Sequence, residues 1–273
     1  MSASGSGGDW LGLGGRIAVV TGGASGIGRA TAESLARVGA SVALLDINAE
    51  GAKAVAAEIK AKGGNAVGIA CDTTSEASVA AARKEVEAAL GGADILVNNA
   101  GILRAGGLDK LSLADWNKML AVNLTGYFIM AQAFGEGMRQ RRRGALVHVA
   151  SIAASEPQPY SGAYSTAKAG VHMMSRQLAY EWGPEGVRSN AVSPGFVRTA
   201  MSESYYAIPG VLEARSKLVP MRRVATTDDL ADAITFLVSD RASHVNGAEL
   251  LVDGGANTIL MGQIPRPGYE RGD

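Results

Sequence analysis

Tyr164 and Lys168 stand four residues apart in the run Tyr164-Ser165-Thr166-Ala167-Lys168. On a helix, positions i and i+4 share one face, so this phenol and this ammonium can point into the same site. A free tyrosine titrates near pH 10, by about 3 units too high to exchange protons readily at neutrality. A fixed cation beside it favours the phenolate and lowers that value. A lowering of about 3 units takes roughly 4 kcal/mol of differential stabilisation. A close lysine, a second bound cation and a shielded pocket supply such a sum jointly. Taken alone, the pair also fits a helix with one buried tyrosine and one solvated lysine; the surrounding sequence separates the two readings.

The elements that must position the pair begin near the N-terminus. Arg16-Ile17-Ala18-Val19-Val20 is a β-branched apolar run, Thr21-Gly22-Gly23-Ala24-Ser25-Gly26-Ile27-Gly28 a glycine-rich turn, and residues 29–36 a helical pattern. Strand, glycine turn and helix in this order are the context of a dinucleotide-phosphate cradle: glycine lets backbone approach the pyrophosphate, and the helix N-terminus offers free N–H groups and partial positive charge. The spacing is Gly-x3-Gly-x-Gly rather than Gly-x-Gly-x2-Gly. A second strand pattern ends on Asp46. An acid at this place, about 20 residues past the glycines, accepts hydrogen bonds from the adenosine ribose hydroxyls. It also repels a 2′-phosphate: two unit charges about 4 Å apart cost roughly 4 kcal/mol at an effective dielectric near 20. The sequence therefore favours NAD over NADP. Asp46 can equally cap the next helix, and the two roles are compatible. Arg29, just after Gly28, is the residue that could meet a phosphate instead.

Strand patterns at 16–21, 41–46, 66–71, 94–98, 144–150, 187–192 and 248–252 alternate with helical ones at 27–38, 49–62, 75–90, 112–140, 161–182 and 227–239. The strand runs are near-continuously apolar, as strands buried on both faces must be. Right-handed crossovers then give an α/β fold, a doubly wound parallel sheet with a ligand at the carboxyl ends of its strands. Gly22, Asp46, Asp72, Asn99, Ser151 and Pro194 all fall just past strand ends, which points to one site.

The chain resembles the short-chain dehydrogenase/reductase family. The resemblance covers about residues 16–255 and rests on Thr21-Gly22-x3-Gly26-Ile27-Gly28, Asp72, Asn98-Asn99-Ala100-Gly101, Asn123, Ser151, Tyr164-x3-Lys168 and Pro194-Gly195. Each motif is weak alone; the set in this order is specific. It implies a seven-stranded Rossmann-type domain that passes a hydride between a nicotinamide cofactor and a secondary alcohol or ketone. Tyr164 would be the general acid/base, a role that typically contributes about 10²–10⁴-fold. Lys168 would lower its pKa and hold the nicotinamide ribose, and Ser151 would hydrogen-bond the substrate oxygen. Asn123 would hold a water linking Lys168 to solvent; as a mid-helix asparagine it can also mark a bend. The implied cofactor contacts are Gly22, Ser25, Gly26, Ile27, Gly28, Asp46, Ile47, Asp72, Thr73, Asn99, Ala100, Gly101 and Val122. They continue with Tyr164, Lys168, Pro194, Gly195, Val197 and Thr199. His148 departs mildly from the family, which often has Asn there, and reads as core packing.

The chain has 273 residues, enough for one sizeable α/β core, and 26 basic against 26 acidic residues. That balance argues against nucleic-acid or membrane-surface binding through bulk charge. Cys71 is the only cysteine, which excludes an intrachain disulfide and a cysteine-based metal cluster; it reads as a small buried hydrophobe. His148, His172 and His244 lack ligand spacing, so no metal is expected. No apolar stretch approaches the roughly 20 residues of a membrane span, and a cytoplasmic enzyme fits. Residues 1–15 read as a flexible lead-in, 16–256 as the catalytic domain, and 257–273 as an extension at a subunit boundary. Arg139, Arg141, Arg142 and Arg143 read as a solvated helix end before Gly144.

Residues 198–223, with Tyr205, Tyr206, Ile208 and Leu218 between Pro and Gly breaks, read as a substrate lid. Arg104 and Gln158 are candidate polar contacts at the mouth. Polyols, sugars, cyclic alcohols, hydroxysteroids and 3-oxoacyl thioesters all remain open as substrates. An NADPH-dependent 3-oxoacyl-carrier-protein reductase is the alternative enzyme, opposed by Asp46. A catalytically idle cofactor-binding scaffold or sensor subunit is opposed by the intact set of Asn123, Ser151, Tyr164 and Lys168. The helices at 112–140 and 161–182 carry apolar residues on more than one face, among them Tyr127, Phe128, Met173 and Tyr180. The surplus stripe predicts a homotetramer built on those helices.

Overall fold

The computed structural model describes residues 9–200 and 202–260. Seven parallel strands form one sheet: β1 (Ile17–Thr21), β2 (Ser41–Asp46), β3 (Asn65–Ala70), β4 (Ile95–Asn98), β5 (Gly144–Val149), β6 (Val187–Pro194) and β7 (Glu249–Val252). Their spatial order is β3-β2-β1-β4-β5-β6-β7, and every pairing is parallel. The order reverses between β1 and β4, where a doubly wound sheet opens its crevice.

The two-residue period of a strand explains why helices cover both faces. Ala18 and Val20 of β1, with Val42, Leu44, Ile95 and Val97, point to one side, against α1 (Gly26–Arg37), α2 (Ala49–Ala61) and α9 (Thr227–Val238). Val19, Ala43, Leu45 and Leu96 point to the other, against α3 (Glu76–Ala89), α5 (Gly126–Gln140) and α6 (Tyr164–Trp182). Side-chain caps start several helices where the sequence places them: Asn48 on α2, Ser75 on α3, and a Thr226–Asp229 capping box on α9. Among the described residues no helix is long and apolar enough to cross a membrane.

Three expectations are amended. The helix expected over 112–140 is α4 (Leu113–Leu120), a π turn (Ala121–Thr125) and α5. The cause is Asn123, whose side-chain Nδ2 donates to Met119 O at 3.0 Å, the acceptor an unbroken helix reserves for the backbone N–H of residue 123. The helix expected from 161 begins at Tyr164, because Gly162 adopts φ +60° and bonds back to Gly106. Ahead of Arg16, Leu13 is fully buried and Leu11 packs on the same core, so packed structure starts inside the expected lead-in. The arginine run ends α5 at the exposed surface, as expected, with partners the sequence did not show. Arg139 binds Glu185 at 2.7 and 2.9 Å and lies over Trp182, while Arg141 and Arg142 donate to Ala93 O and Pro184 O. The segment after β6 folds into two short helices, α7 (Glu203–Tyr206) and α8 (Val211–Leu218).

Candidate active site

The glycine turn is built for backbone alone. Gly22 has φ +66°, and a Cβ there would lie 2.7 Å from Asn99 Nδ2; a Cβ on Gly28 would lie 2.2 Å from Gly22 O. Asn99 fastens the turn to β4: its N–H donates to Thr21 Oγ1 at 2.9 Å and its side chain to Thr21 O at 2.9 Å. Ser25 occupies the cap position of α1 without a side-chain cap bond, which leaves the first-turn N–H groups as donors for an anion. These are the features a dinucleotide pyrophosphate requires, and the cradle fits it.

Asp46 closes β2 with its carboxylate held by two backbone donors, Ala24 N–H at 3.0 Å and Asn48 N–H at 2.9 Å. One donor comes from the glycine turn and one from Asn48, and it is Asn48, not Asp46, that caps α2. Arg29 turns away from any phosphate: it pairs with Glu33 at 3.0 Å and Glu58 at 2.5 Å. Ile47 is exposed beside Asp46. Asp72 accepts from Thr74 N–H and Oγ1, at 2.9 and 2.7 Å, and the buried Thr73 packs against Gly126 at the foot of α5. Cys71 is buried beside them, and burial pushes its thiol up to about 11.

The proposed chemical residues converge at the ends of β4 and β5 and the start of α6. Lys168 is buried, and its ammonium donates to Val149 O at 2.7 Å and to the Tyr127 hydroxyl at 3.2 Å. Its Nζ lies over the rings of Tyr127 and Tyr164, at 4.9 and 5.6 Å from their centroids. Ser151 is buried, with its Oγ accepting from Ala153 N–H at 3.0 Å. Asn123 is fully buried: Oδ1 accepts from Ile102 N–H at 3.1 Å, and Nδ2 donates to Ile102 O and Met119 O. Its amide is thus spent on backbone, as the bend reading allowed. A Cβ on Gly101 would stand 2.8 Å from Asn123 Oδ1 and 3.9 Å from Lys168 Nζ, which brings the Asn99-Ala100-Gly101 turn onto the same spot. Val122 lies half-buried in the π turn beside them.

The sequence expects Lys168 to lower the pKa of Tyr164. The protein's own groups do the reverse: burial raises the phenol, and the Ser151 hydroxyl beside it offsets this only in part. The lysine is directed at Val149 O and Tyr127 instead, and burial draws its own pKa down to about 7. Further positive charge at the site is needed to bring the phenol toward neutrality.

Across the cleft, Pro194 ends β6 and Gly195 packs against Asp253, where a Cβ would meet Asp253 Cβ at 2.7 Å. Val197 is buried and bridges to Ala225; Thr199 accepts its order from Ser202, whose Oγ receives the Thr199 N–H at 2.9 Å. Thr199 reaches back to the glycine turn, 3.6 Å from where a Gly26 Cβ would be. At the mouth, Arg104 is paired with Asp115 at 2.9 Å and Gln158 N–H donates to Ser165 Oγ. Among the described residues no group of His, Cys, Asp and Glu could hold a metal. Tyr127 escapes the sequence reading as a site residue. Its only signal there is its place one turn beyond Asn123, on a helix read for assembly.

A family model described as enoyl-(acyl carrier protein) reductase matches residues 22–257. The D-threitol dehydrogenase of Mycolicibacterium smegmatis is 46% identical over 243 residues, 89% of this chain and 93% of that one. The 2,3-dihydro-2,3-dihydroxybenzoate dehydrogenase of Bacillus subtilis is 38% identical over 253 residues, 90% and 97% of the two chains. The crystal structure of a gluconate 5-dehydrogenase from Burkholderia cenocepacia, in complex with NADP and tartrate, is 34% identical. It superposes with a TM-score of 0.87 over 92% of this chain and 98% of that one. A doubly wound parallel sheet with a glycine cradle at its switch point defines a dinucleotide-binding protein. The chain belongs to the short-chain dehydrogenase/reductase family and acts at the CH–OH or carbonyl carbon of a small molecule.

Proposed function

We propose that the protein is an NAD-dependent dehydrogenase of small polyols or vicinal diols, interconverting a secondary carbinol and its ketone. The observation that carries the cofactor choice is Asp46, held by Ala24 and Asn48 while the nearby Arg29 is neutralised by Glu33 and Glu58. A carboxylate so placed accepts from ribose hydroxyls and repels a 2′-phosphate. The same feature weighs against the NADPH-dependent 3-oxoacyl-carrier-protein reductase. The substrate class is supported by the diol- and polyol-acting relatives and by the mouth, where Asp115 already pairs the charge of Arg104.

When bound, the dinucleotide supplies the hydride acceptor or donor and, oxidised, a positive charge over the site. The cradle residues and Asp46 would hold its phosphates and adenosine ribose, Asp72, Thr73 and Val122 would flank its adenine side, and Pro194, Gly195, Val197 and Thr199 would hold the carboxamide end. In oxidation Tyr164 takes the hydroxyl proton of the carbinol; in reduction it returns that proton to the alkoxide oxygen. Ser151 donates its hydrogen to the same oxygen while one of its lone pairs serves Ala153 N–H. Lys168 holds the nicotinamide ribose and adds its charge beside Tyr164.

A panel of tetritols, pentitols and cyclic diols, assayed with NAD and NADP by reduced-cofactor absorbance, tests this reading. Turnover of a vicinal diol with NAD is expected; activity confined to 3-oxoacyl thioesters with NADPH overturns it.

The domain at 16–256, its lid at about 198–223 and a cytoplasmic homotetramer complete the reading. Assembly is supported by Phe128, Met173 and Tyr180, exposed by 45%, 59% and 86% on α5 and α6, although Met119, Tyr127, Met130 and Phe134 of the same stretch are buried in the chain's own core. Residues 261–273 of the expected extension lie outside the described residues. Truncation after Ala256 should weaken the tetramer or shift substrate affinity, read by light scattering and kinetics.

A further inference from the structure

We infer that Tyr127 is a positioning residue for Lys168: its hydroxyl oxygen receives one ammonium N–H and, together with Val149 O, fixes where the charge sits and how firmly it is kept. This rests on the proposed acid–base role of Tyr164 and Lys168.

The three atoms form a closed triangle. Lys168 Nζ donates to Val149 O at 2.7 Å and to the Tyr127 oxygen at 3.2 Å, and the Tyr127 hydroxyl spends its own hydrogen on Val149 O at 3.2 Å. With its hydrogen turned to the carbonyl, the phenol offers only lone pairs to the ammonium. The ring adds its face, 4.9 Å below Nζ. Burial, reinforced by Tyr164, holds the Tyr127 phenol far above its ordinary pKa, so it stays a neutral acceptor.

The ring is braced from behind by a buried polar chain. Asn98 Nδ2 donates to Tyr127 O at 3.0 Å and meets His148 Nδ1 at 3.1 Å. A carbonyl can only accept, so the amide nitrogen lies on this side and His148 Nδ1 is an acceptor; its proton sits on Nε2 and goes to Ser189 Oγ at 3.2 Å. Ser189 meets Ser175 Oγ at 3.1 Å. The imidazole stacks on Tyr127, centroids 6.2 Å apart and planes 26° inclined. The titratable groups around Lys168 are Tyr164 on its own helix, Tyr127 from α5 and His148 from β5. His172, one turn further along α6, is occupied by Glu249 of β7 at 3.4 Å. Burial and then Lys168 hold His148 neutral, near pKa 3. The cation is therefore kept by neutral oxygens and a ring face, and Tyr127 is the one side chain among them that can be altered without touching backbone.

Tyr127→Phe removes that oxygen and keeps the ring. The ammonium is then less favoured, Lys168 gives up its proton at lower pH, and Tyr164 loses its cationic neighbour over more of the range. The acidic limb of kcat/KM for alcohol oxidation should move toward alkaline pH by about half a unit, a loss of about 3-fold at pH 7, with NADH affinity nearly unchanged. A limb that stays in place while thermal stability falls would show a packing role and overturn the inference. If the Phe variant does not fold, 3-fluorotyrosine at position 127 keeps the shape and weakens the oxygen as an acceptor. The same shift, smaller, supports the inference and an unmoved limb overturns it. Tyr164→Phe, run alongside, separates the two readings. Persistent turnover there sinks the acid–base assignment itself, whereas abolished turnover with an unmoved limb in the Tyr127 variants sinks this inference only.

Discussion

The cleft has two walls of different character. Along β1, β2 and β4 the wall is backbone: Gly22 and Gly28 leave no room for a Cβ, and Asp46 and Asn99 are fixed by main-chain partners. Along the segment between β6 and α9 the wall is side chains on two short helices, where Arg215 lies against Phe196, Tyr205 and Tyr206 at 5.2, 5.7 and 5.1 Å. The first wall recognises what every turnover shares, and a fixed main chain does that without adjustable parts. We propose that the second conforms to a particular substrate; arginine–aromatic contacts are worth about 0.5–1 kcal/mol each near the surface, little enough to rearrange.

The comparison can be broken most severely at the point where the walls meet. Tyr164→Phe should cut kcat by roughly 10²-fold or more while leaving NADH affinity within about 3-fold, because only the proton transfer is lost. Near-normal turnover, measured by steady-state kinetics beside a fluorescence titration, would remove Tyr164 from the chemistry. On the fixed wall, NAD should bind at least about tenfold better than NADP, and Asp46→Ala should shrink that gap. Equal affinities in the unmodified protein would refute the role of Asp46.

Deeper in the fixed half, His148 should tie stability to pH. Its folded pKa, near 3, lies below the ordinary 6.5. Between those values the unfolded chain binds more protons, so the contribution to stability is full above 6.5 and is lost as pH falls toward 3. His148→Asn should flatten that acid limb, by about 1 kcal/mol near pH 5.5 on the basis of roughly 1.4 kcal/mol per unit. Denaturant unfolding at several pH values reads it, and parallel limbs in both proteins would contradict it. On the adjustable wall the effect should be smallest and confined to substrate. Arg215→Ala should raise KM about 3-fold with NADH affinity unchanged, and an equal loss of both would mean that the walls are not separable.

The backbone wall was legible in the sequence because glycine spacing and strand-end acids are local signals. All seven strands fall within a residue or two of where apolar runs place them, and the tyrosine–lysine pair lies on one helix as its spacing requires. What escaped was set by distant partners. The break at Asn123 combines a local bond to Met119 O with two to Ile102, 21 residues away, and the anchoring of Lys168 depends on Tyr127, 41 residues away. No helical periodicity announces either. The partners of the arginine run escaped for the same reason, since Glu185 and Pro184 lie beyond the next strand. After β6, α7 and α8 follow no strong apolar period, and their placement owes as much to Arg215 and its aromatic neighbours as to propensity.

Thr199, at the root of the lid, comes within ordinary contact distance of the glycine turn at Gly26. A nucleotide seated in that turn would therefore lie beside the start of the proposed lid, and the two events would become a queue. On that placement we expect the dinucleotide to enter first and leave last. Product inhibition would carry the signature: NADH competing with NAD, and ketone failing to compete with it.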